Sequence, residues 1–366
     1  MTAPADRFDA DVLVVGAGPV GLAAAIHARV AGLDVLVADR RDGVLDKACG
    51  EGLMPGALRA VQALGVDPAG HPLTGISYRS PARHADHRFA HGKGRGVRRT
   101  VLQAALRDRA LGTGVRLAHV GVRALHQDSD GVDVRVMTHD GGAQVLRARW
   151  LLGCDGLGST VRRLAGLDAD VPRRRTVPAP DARFGLRRHY RVAPWSDLVE
   201  VHWADGVEAY VTPVADDVVG VAVLGPRGAT GPAGGFDTGL AAALPDLADR
   251  LRGAEPAGPV QGAGPLRRRS RRRTAGRVRL VGDASGYVDA LTGEGVRVGL
   301  AQATEVVRHL EDPEAYERAW WRVTRDYRLL TAGLLAWARS PARGAIVPTA
   351  DVWPGLYGAV VERLAR

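Results

Sequence analysis

The chain has 366 residues, room for two packed domains, and a net charge of +10 that comes almost wholly from arginine. With 46% hydrophobic and 25% charged residues it has the composition of a globular protein, and no apolar run approaches the roughly 18–20 residues that span a bilayer. The N-terminus lacks a signal-peptide core, and two cysteines, Cys49 and Cys154, exclude a disulfide scaffold, so a reducing cytoplasm is the expected setting. The positive charge favours anionic partners, but abundant Ala, Gly, Arg and Val also mark a GC-rich genome, which raises arginine content without a functional cause.

Taken in order, Val12 to Val15 form a continuous apolar run, the pattern of a strand buried on both faces. Gly16, Gly18 and Gly21 follow as G-x-G-x-x-G where strand gives way to helix. These glycines permit the tight turn, the approach of a pyrophosphate to the backbone, and close helix–strand packing. Pro19 suits the first helical turn. An Ala-rich helix from Val20 to Ala31 stops at Gly32, and a second strand, Val35 to Ala38, ends in Asp39, where an acid can hold an adenosine ribose. The unit predicts a dinucleotide site. Arg40 and Arg41 form a turn within reach of the same cofactor's phosphates. The loop from Asp46 to Pro55 includes Cys49, Gly50, Glu51 and Gly52, small residues against which something flat or charged can lie, and opens a helix from Gly56 to Leu64.

Pro68 to Gly96 is irregular and polar, an excursion into a second domain. Its His84, His87 and His91 are spaced like metal ligands, but no cysteine or acidic cluster completes a site, and no metal is expected. A helix then begins near Arg99, with Gln103 one turn on; Arg99 is either a surface cation or a grip on phosphate. Strands at Val115 to Ala118, Val132 to Met137 and Gln144 to Trp150 suggest a three-stranded β-meander. A buried strand, Trp150 to Cys154, leads into Asp155-Gly156 and a turn in which Ser159 suits a helix N-cap.

From Val171 to about Thr274 short strands alternate with turns. Val199, Val201 and Trp203 share one face, and Glu200 and His202 the other; Val207 to Val214 and Val218 to Leu224 continue an antiparallel sheet able to wall a substrate cavity. Arg267 to Arg273 carries six arginines in seven residues. Such a run reads as a nucleic-acid or anionic-lipid patch, or as a solvated connection back to the core. The absence of interleaved aromatic residues favours the connection and makes nucleic acid an unexpected partner. Arg277 to Val281 is a further buried strand, followed by Gly282-Asp283 and a helix from Val296 to Leu310. The C-terminal helical segment from Pro313 holds Trp320, Trp321, Trp337 and Trp353, expected in packing, and Leu334 to Leu364 is apolar enough for peripheral contact with a membrane.

Three segments stand in a fixed order: Gly16-x-Gly18-x-x-Gly21, Asp155-Gly156-x-x-Ser159-x-Val161-Arg162, and Gly282-Asp283 followed by Leu291-Thr292-Gly293-Glu294-Gly295. Over essentially its whole length the chain resembles the FAD-dependent oxidoreductases of the class A aromatic-hydroxylase and geranylgeranyl-reductase superfamily. The resemblance implies an α/β fold: a Rossmann-like FAD-binding domain of the glutathione-reductase type with β-meander, plus an antiparallel-sheet substrate domain and C-terminal helices. The FAD domain would comprise residues 1–71, 97–170 and 275–312, the substrate domain 72–96 and 171–274, and the C-terminal segment 313–366. Asp39 would hold the adenosine ribose of FAD, Arg99 and Gln103 the phosphate and ribityl, and Asp283 the ribityl or pyrophosphate. Thr292, Gly293, Glu294 and Gly295 would present helix N-terminal N–H groups to the flavin N1/O2 edge, where reduced flavin carries negative charge. Asp155 and Arg162 would support the contact where NADPH or NADH passes as a transient reductant.

Cys49-Gly50-Glu51-Gly52 and Leu291 to Gly295 are similar to the geranylgeranyl-reductase side. That side's Tyr-x-Trp-x-Phe-Pro stretch keeps only its proline here, in Glu208-Ala-Tyr210-Val-Thr212-Pro213. The resemblance is greatest to short actinobacterial monooxygenases that act on phenolic or polyketide products. The expected reaction is hydroxylation of a small aromatic by NAD(P)H and O₂ through a flavin C4a-hydroperoxide. Flavin-dependent reduction of an isoprenoid or other alkene is the alternative, and a lipid-like substrate would suit it. Removing a phenolic proton needs a base, for which His189, Tyr190, His202 and Tyr210 are candidates. The assembly is expected to be a monomer or a homodimer.

Overall fold

The computed structural model describes residues 8–169, 182–228 and 235–366; residues 171–181, the expected start of the substrate domain, lie outside the described residues. Two large sheets carry the fold. In the first, the strands Val35–Asp39, Ala10–Val15, the C-terminal half of Ala143–Gly153 and Val278–Leu280 run parallel, with the start of Arg116–Gln127 beyond Val35–Asp39. Side chains alternate across it. Val12 and Val14 meet the helices Pro19–Val30, Arg99–Gly112 and Gly295–Arg308, while Leu13 and Val15 meet the opposite layer. Both faces are therefore apolar, which is why the strand reads as an unbroken apolar run.

The opposite layer is the meander. Arg116–Gln127, Val132–Thr138 and Ala143–Gly153 pair antiparallel. The expected meander strand and the expected buried strand before Cys154 are one strand of 11 residues. Its first half belongs to the meander and its second, from Ala148, pairs with Ala10–Val15. The change of partner occurs without a turn residue, so composition does not mark it.

The second sheet has eight strands. Arg183–Arg191, Val218–Pro226, Val207–Ala215 and Leu198–Ala204 are antiparallel neighbours. Gly75–Ser80 then pairs with Leu198–Ala204 in parallel, so the sheet is mixed rather than wholly antiparallel, and Arg83–Arg88 completes the edge as a hairpin. One face, with Ala209, Val211 and Val221, is covered by Phe236, Leu240 and Leu247 of two short helices. The other, with Trp203, Tyr210, Ala222 and Leu224, looks towards the first sheet and the C-terminal helices.

The helix Pro313–Ala338 locks the two halves together. Asp312 caps it by accepting from the Ala315 N–H at 2.8 Å. Along one side, Tyr316 donates to Leu280 O (2.8 Å), Trp320 Nε1 to Ser285 Oγ (2.8 Å) and Tyr327 to Asp289 O (3.0 Å), while Thr331 pairs with Thr292 (2.8 Å). These bonds fix the turn 282–292 to a rigid rod. Trp320 is buried as expected of a packing residue, whereas Trp321 and Trp353 are 51% and 60% exposed. Among the described residues no helix is long and apolar enough to cross a membrane.

Candidate active site

Between the glycine turn of the first sheet and the inner face of the second lies a cavity of about 1150 Å³, its open mouth included. Its two sides differ in chemistry. On one side Gly18, Pro19, Arg99, Gly156, Gly282, Asp283, Gly293 and Gly295 present backbone and charge; on the other Tyr210, Ala222, Leu224, Ala263 and Leu266 present an apolar wall.

The first side is a cradle. Gly16 has φ +110°, and a Cβ there would lie 2.6 Å from Cys154 O. A Cβ on Gly21 would lie 1.9 Å from Gly16 O, so only glycine lets this turn close. The helix Pro19–Val30 starts without a side-chain cap, as does Gly295–Arg308, so two sets of N-terminal N–H groups are left for a ligand. Arg99 Nη2 lies 3.6 Å from the position of a Cβ on Gly18, and its buried Nε has no hydrogen-bond partner. Lys47 Nζ stands across the mouth, 3.4 Å from Asp283 Oδ2. A part-buried guanidinium with an unanswered donor, over a glycine turn and between two uncapped helices, fits a dinucleotide pyrophosphate. Asp39, at the end of its strand, accepts from the Ala17 N–H at 2.9 Å and from the Arg41 N–H at 3.0 Å.

Several expected cofactor contacts lie elsewhere. Gln103 is fully buried; it donates to Ala17 O (3.1 Å) and accepts from the Leu45 N–H (3.3 Å), so it braces the cradle from behind. Arg40 is exposed and away from the cavity lining. Asp155 accepts from Ser159 Oγ (2.5 Å) and from the Thr160 and Val161 N–H groups (2.6 and 3.1 Å), and so serves the start of the helix Thr160–Leu164. Arg162 is buried and donates to Ala284 O (3.1 Å) and Leu157 O (2.9 Å). It ties two loops together, pairs with Asp168 at 3.5 Å, and is not among the residues lining the cavity. The Thr292 hydroxyl is engaged by Thr331, and Glu294 turns back to Arg297; only their neighbours Gly293 and Gly295 line the cavity. Burial, outweighing the Arg297 pair, pushes the Glu294 carboxyl up to about 7.

Glu51 departs furthest from expectation. It is the one described non-glycine residue with positive φ (59°), and its carboxylate is buried. Oε1 accepts from the Arg99 N–H at 2.8 Å and Oε2 meets His189 Nε2 at 2.6 Å. Its own N–H points to Cys49 Sγ at 3.4 Å, while Gly50 O accepts from Thr212. Cys49 and Gly50 line the cavity; Gly52 lies just behind, where a Cβ would meet Met54. Arg187, which also lines the cavity, places Nη1 3.0 Å from His189 Nδ1 and pairs with Asp46. Arginine only donates, so His189 Nδ1 accepts, and Nε2 carries the hydrogen given to Glu51.

None of the four base candidates survives this geometry. His189 has both ring nitrogens engaged in the buried network. Tyr190 and His202 lie on the opposite face of the sheet, bonded to Asp237 and to Glu200. Side chains alternate along a strand, so neighbours in sequence part company. Tyr210 does line the cavity, but it donates to Leu291 O at 2.6 Å, and burial, with Glu208 and Asp289 nearby, holds its hydroxyl well above the ordinary tyrosine range. Sequence reasoning passed over Tyr287, part-buried and on the wall, and Lys47, one of only two lysines in the chain.

The fold and cradle define a dinucleotide-binding flavoprotein. The FAD binding domain family matches residues 9–317, and the chain belongs to that family, with FAD as its cofactor. It is 35% identical over 199 residues to the 3-(3-hydroxy-phenyl)propionate/3-hydroxycinnamic acid hydroxylase of Mycobacterium avium, over 46% of this chain and 34% of that one. The chain thus spans about a third of the length of the hydroxylases it matches. It is 30% identical over 327 residues (81% of this chain, 61% of the relative) to a 12-dehydrotetracycline 5-monooxygenase/anhydrotetracycline 6-monooxygenase of Streptomyces rimosus. A menaquinone reductase of Mycobacterium tuberculosis is 29% identical over 87% of this chain and 80% of its own. Among solved structures, a flavoprotein/dehydrogenase from Cytophaga hutchinsonii superposes with a TM-score of 0.78 at 18% identity, covering 97% of this chain and 92% of that one, and shares the fold.

Proposed function

We propose that this protein is a monooxygenase that uses FAD, NAD(P)H and O₂ to hydroxylate an aromatic or polyketide-type metabolite. The observation that carries the reading is the continuity of the charged cradle with a chamber walled by Ala222, Leu224 and Leu266. FAD, when bound, would supply the redox chemistry, hydride acceptance and dioxygen activation. The protein's part is to hold, orient and dry the site. The glycine turn, Arg99 and the start of helix Pro19–Val30 would hold the pyrophosphate, Asp39 the ribose, Asp283 the ribityl, and the start of helix Gly295–Arg308 the anionic flavin edge. The aliphatic wall excludes water, and Tyr210 and Tyr287 offer flat surfaces to an aromatic ring. Among the described residues the wall offers no free base, which favours a ring activated by its own substituents.

The menaquinone reductase relative supports a second reading, reduction of a quinone or alkene in the same apolar chamber. NAD(P)H oxidation by the purified yellow protein, with and without O₂, against phenols, polyketides and prenyl quinones separates the two. Substrate-stimulated oxidation coupled to O₂ uptake and an oxygenated product supports the monooxygenase; anaerobic turnover to a product with two more hydrogens supports the reductase.

A further inference from the structure

The arginine run is built into the rim of the cavity. Leu266 lines the chamber, and the chain then runs outward along the turn after Gly286: the Arg268 N–H donates to Tyr287 O and the Tyr287 N–H to Arg268 O, both at 2.9 Å. Ser270 Oγ donates to Ser285 O, and Arg268 Nε to Leu157 O at 3.1 Å. Arg267 and Arg271 are exposed to solvent.

Aromatic residues absent from the run in sequence arrive in space. The Arg273 guanidinium lies 4.2 Å from the Trp320 ring centre and that of Arg328 lies 5.2 Å from it; Arg328 also stands 5.9 Å from Trp321, which is half exposed. Glu317 answers Arg273, and Glu314 answers Arg272. Arg328 is crowded by like charge: burial first, with Arg273, Arg267 and Arg269 behind it and Tyr327 opposing them, lowers its affinity for a proton. A half-buried guanidinium held among other cations is costly unless an anion joins it.

The geometry points to this rim as the docking site for a phosphate monoester of the reductant, the 2′-phosphate of an adenine nucleotide, with the open face of Trp321 available to the base. The assignment rests on the reading that NAD(P)H is the reductant. A phosphate dianion answers several guanidinium forks at once. The patch begins one residue from the chamber wall, where the nicotinamide must enter, and it is one short strand wide, not the long groove that a nucleic-acid strand requires.

The test is binding to the FAD-loaded protein at low salt, probed with adenosine 2′,5′-bisphosphate and with 5′-AMP. The bisphosphate is expected to bind at least about tenfold more tightly, in a salt-dependent manner. Arg267→Glu and Arg328→Gln are each expected to weaken it about tenfold, with 5′-AMP binding and flavin absorption unchanged and, for Arg267→Glu, the thermal midpoint unchanged too. Arg267 is exposed, so its replacement does not threaten folding. Equal binding of the two nucleotides, or bisphosphate binding that Arg267→Glu leaves intact, overturns the assignment. So does tighter binding of an oligonucleotide or of anionic vesicles at the same residues. Flavin reduction by NADPH and NADH, followed separately, distinguishes the two claims. If neither reduces the flavin while the bisphosphate binds, the reductant reading fails and the rim site stands. If both reduce it equally well and the bisphosphate does not bind, the rim site fails and the reductant reading stands.

Discussion

Replacing Glu51 by glutamine tests whether the buried network organises the site. The carboxylate accepts two donors, the Arg99 N–H at 2.8 Å and His189 Nε2–H at 2.6 Å, with Arg187 3.7 Å away. An amide has one acceptor oxygen, so one donor must face its NH₂. His189 cannot adapt by shifting its hydrogen, because Nδ1 already accepts from Arg187 at 3.0 Å. One buried donor left unsatisfied costs about 1–3 kcal/mol, and the loss of charge beside Arg187 adds to this, so a total of about 2–4 kcal/mol is expected. At about 2.1 cal/mol/K per residue, a chain of 366 residues unfolds with an entropy near ~0.8 kcal/mol/K, which converts the loss into a fall of about 3–5 °C in melting temperature. Because Arg99 starts its helix on this carboxylate and Cys49 sits on the same loop, FAD affinity should fall several-fold and the flavin spectrum should shift. Thermal melts followed by circular dichroism, with flavin release followed by fluorescence, measure both. A His189→Leu variant and the double variant complete a cycle whose coupling should exceed about 1 kcal/mol. A glutamine variant that melts within about 1 °C of the parent and keeps its FAD affinity within twofold would refute the reasoning, since about 2–4 kcal/mol is expected.

Gly21→Ala puts a methyl 1.9 Å from Gly16 O, so it should yield protein that is colourless or insoluble, read from the flavin absorbance at 450 nm, roughly the usual flavin maximum. Glu294 is protonated when buried below about pH 7 but ionises near 4.5 when unfolded. Its contribution is therefore complete below pH 4.5 and is lost as pH rises through about 7, a change of at most about 3 kcal/mol. In denaturant titrations across that window, Glu294→Gln should flatten this part of the pH dependence; an unchanged slope would show that the carboxyl is already ionised in the fold. Tyr210→Phe removes the bond to Leu291 O and should cost about 1 kcal/mol of stability while turnover stays within a few-fold and the pH profile is unmoved. A loss of about 100-fold would restore Tyr210 as the base.

The cradle was legible because its constraints are local: glycines at a turn, an acid at a strand end, and apolar runs buried on both faces. Much of the rest was not. His189 and Tyr190 are adjacent in sequence, yet the pleat sends one into the Glu51 network and the other to Asp237, and only the register tells them apart. Asp155 four residues before Ser159 suits a ligand contact and a helix cap equally well, and the structure uses it as the cap. Trp320 and Arg273 stand far apart in the chain and meet only when the helix Pro313–Ala338 folds back along the turn 282–292. The parallel pairing of Leu198–Ala204 with Gly75–Ser80 joins segments more than a hundred residues apart, and no local pattern announces it.

The central claim, that the apolar chamber serves oxygen transfer to an aromatic ring, is tested most directly by turnover under isotopically labelled dioxygen with mass analysis of the product. The account predicts one labelled oxygen atom per product molecule and no product without dioxygen. A product formed anaerobically, gaining two hydrogens and no label, would contradict it.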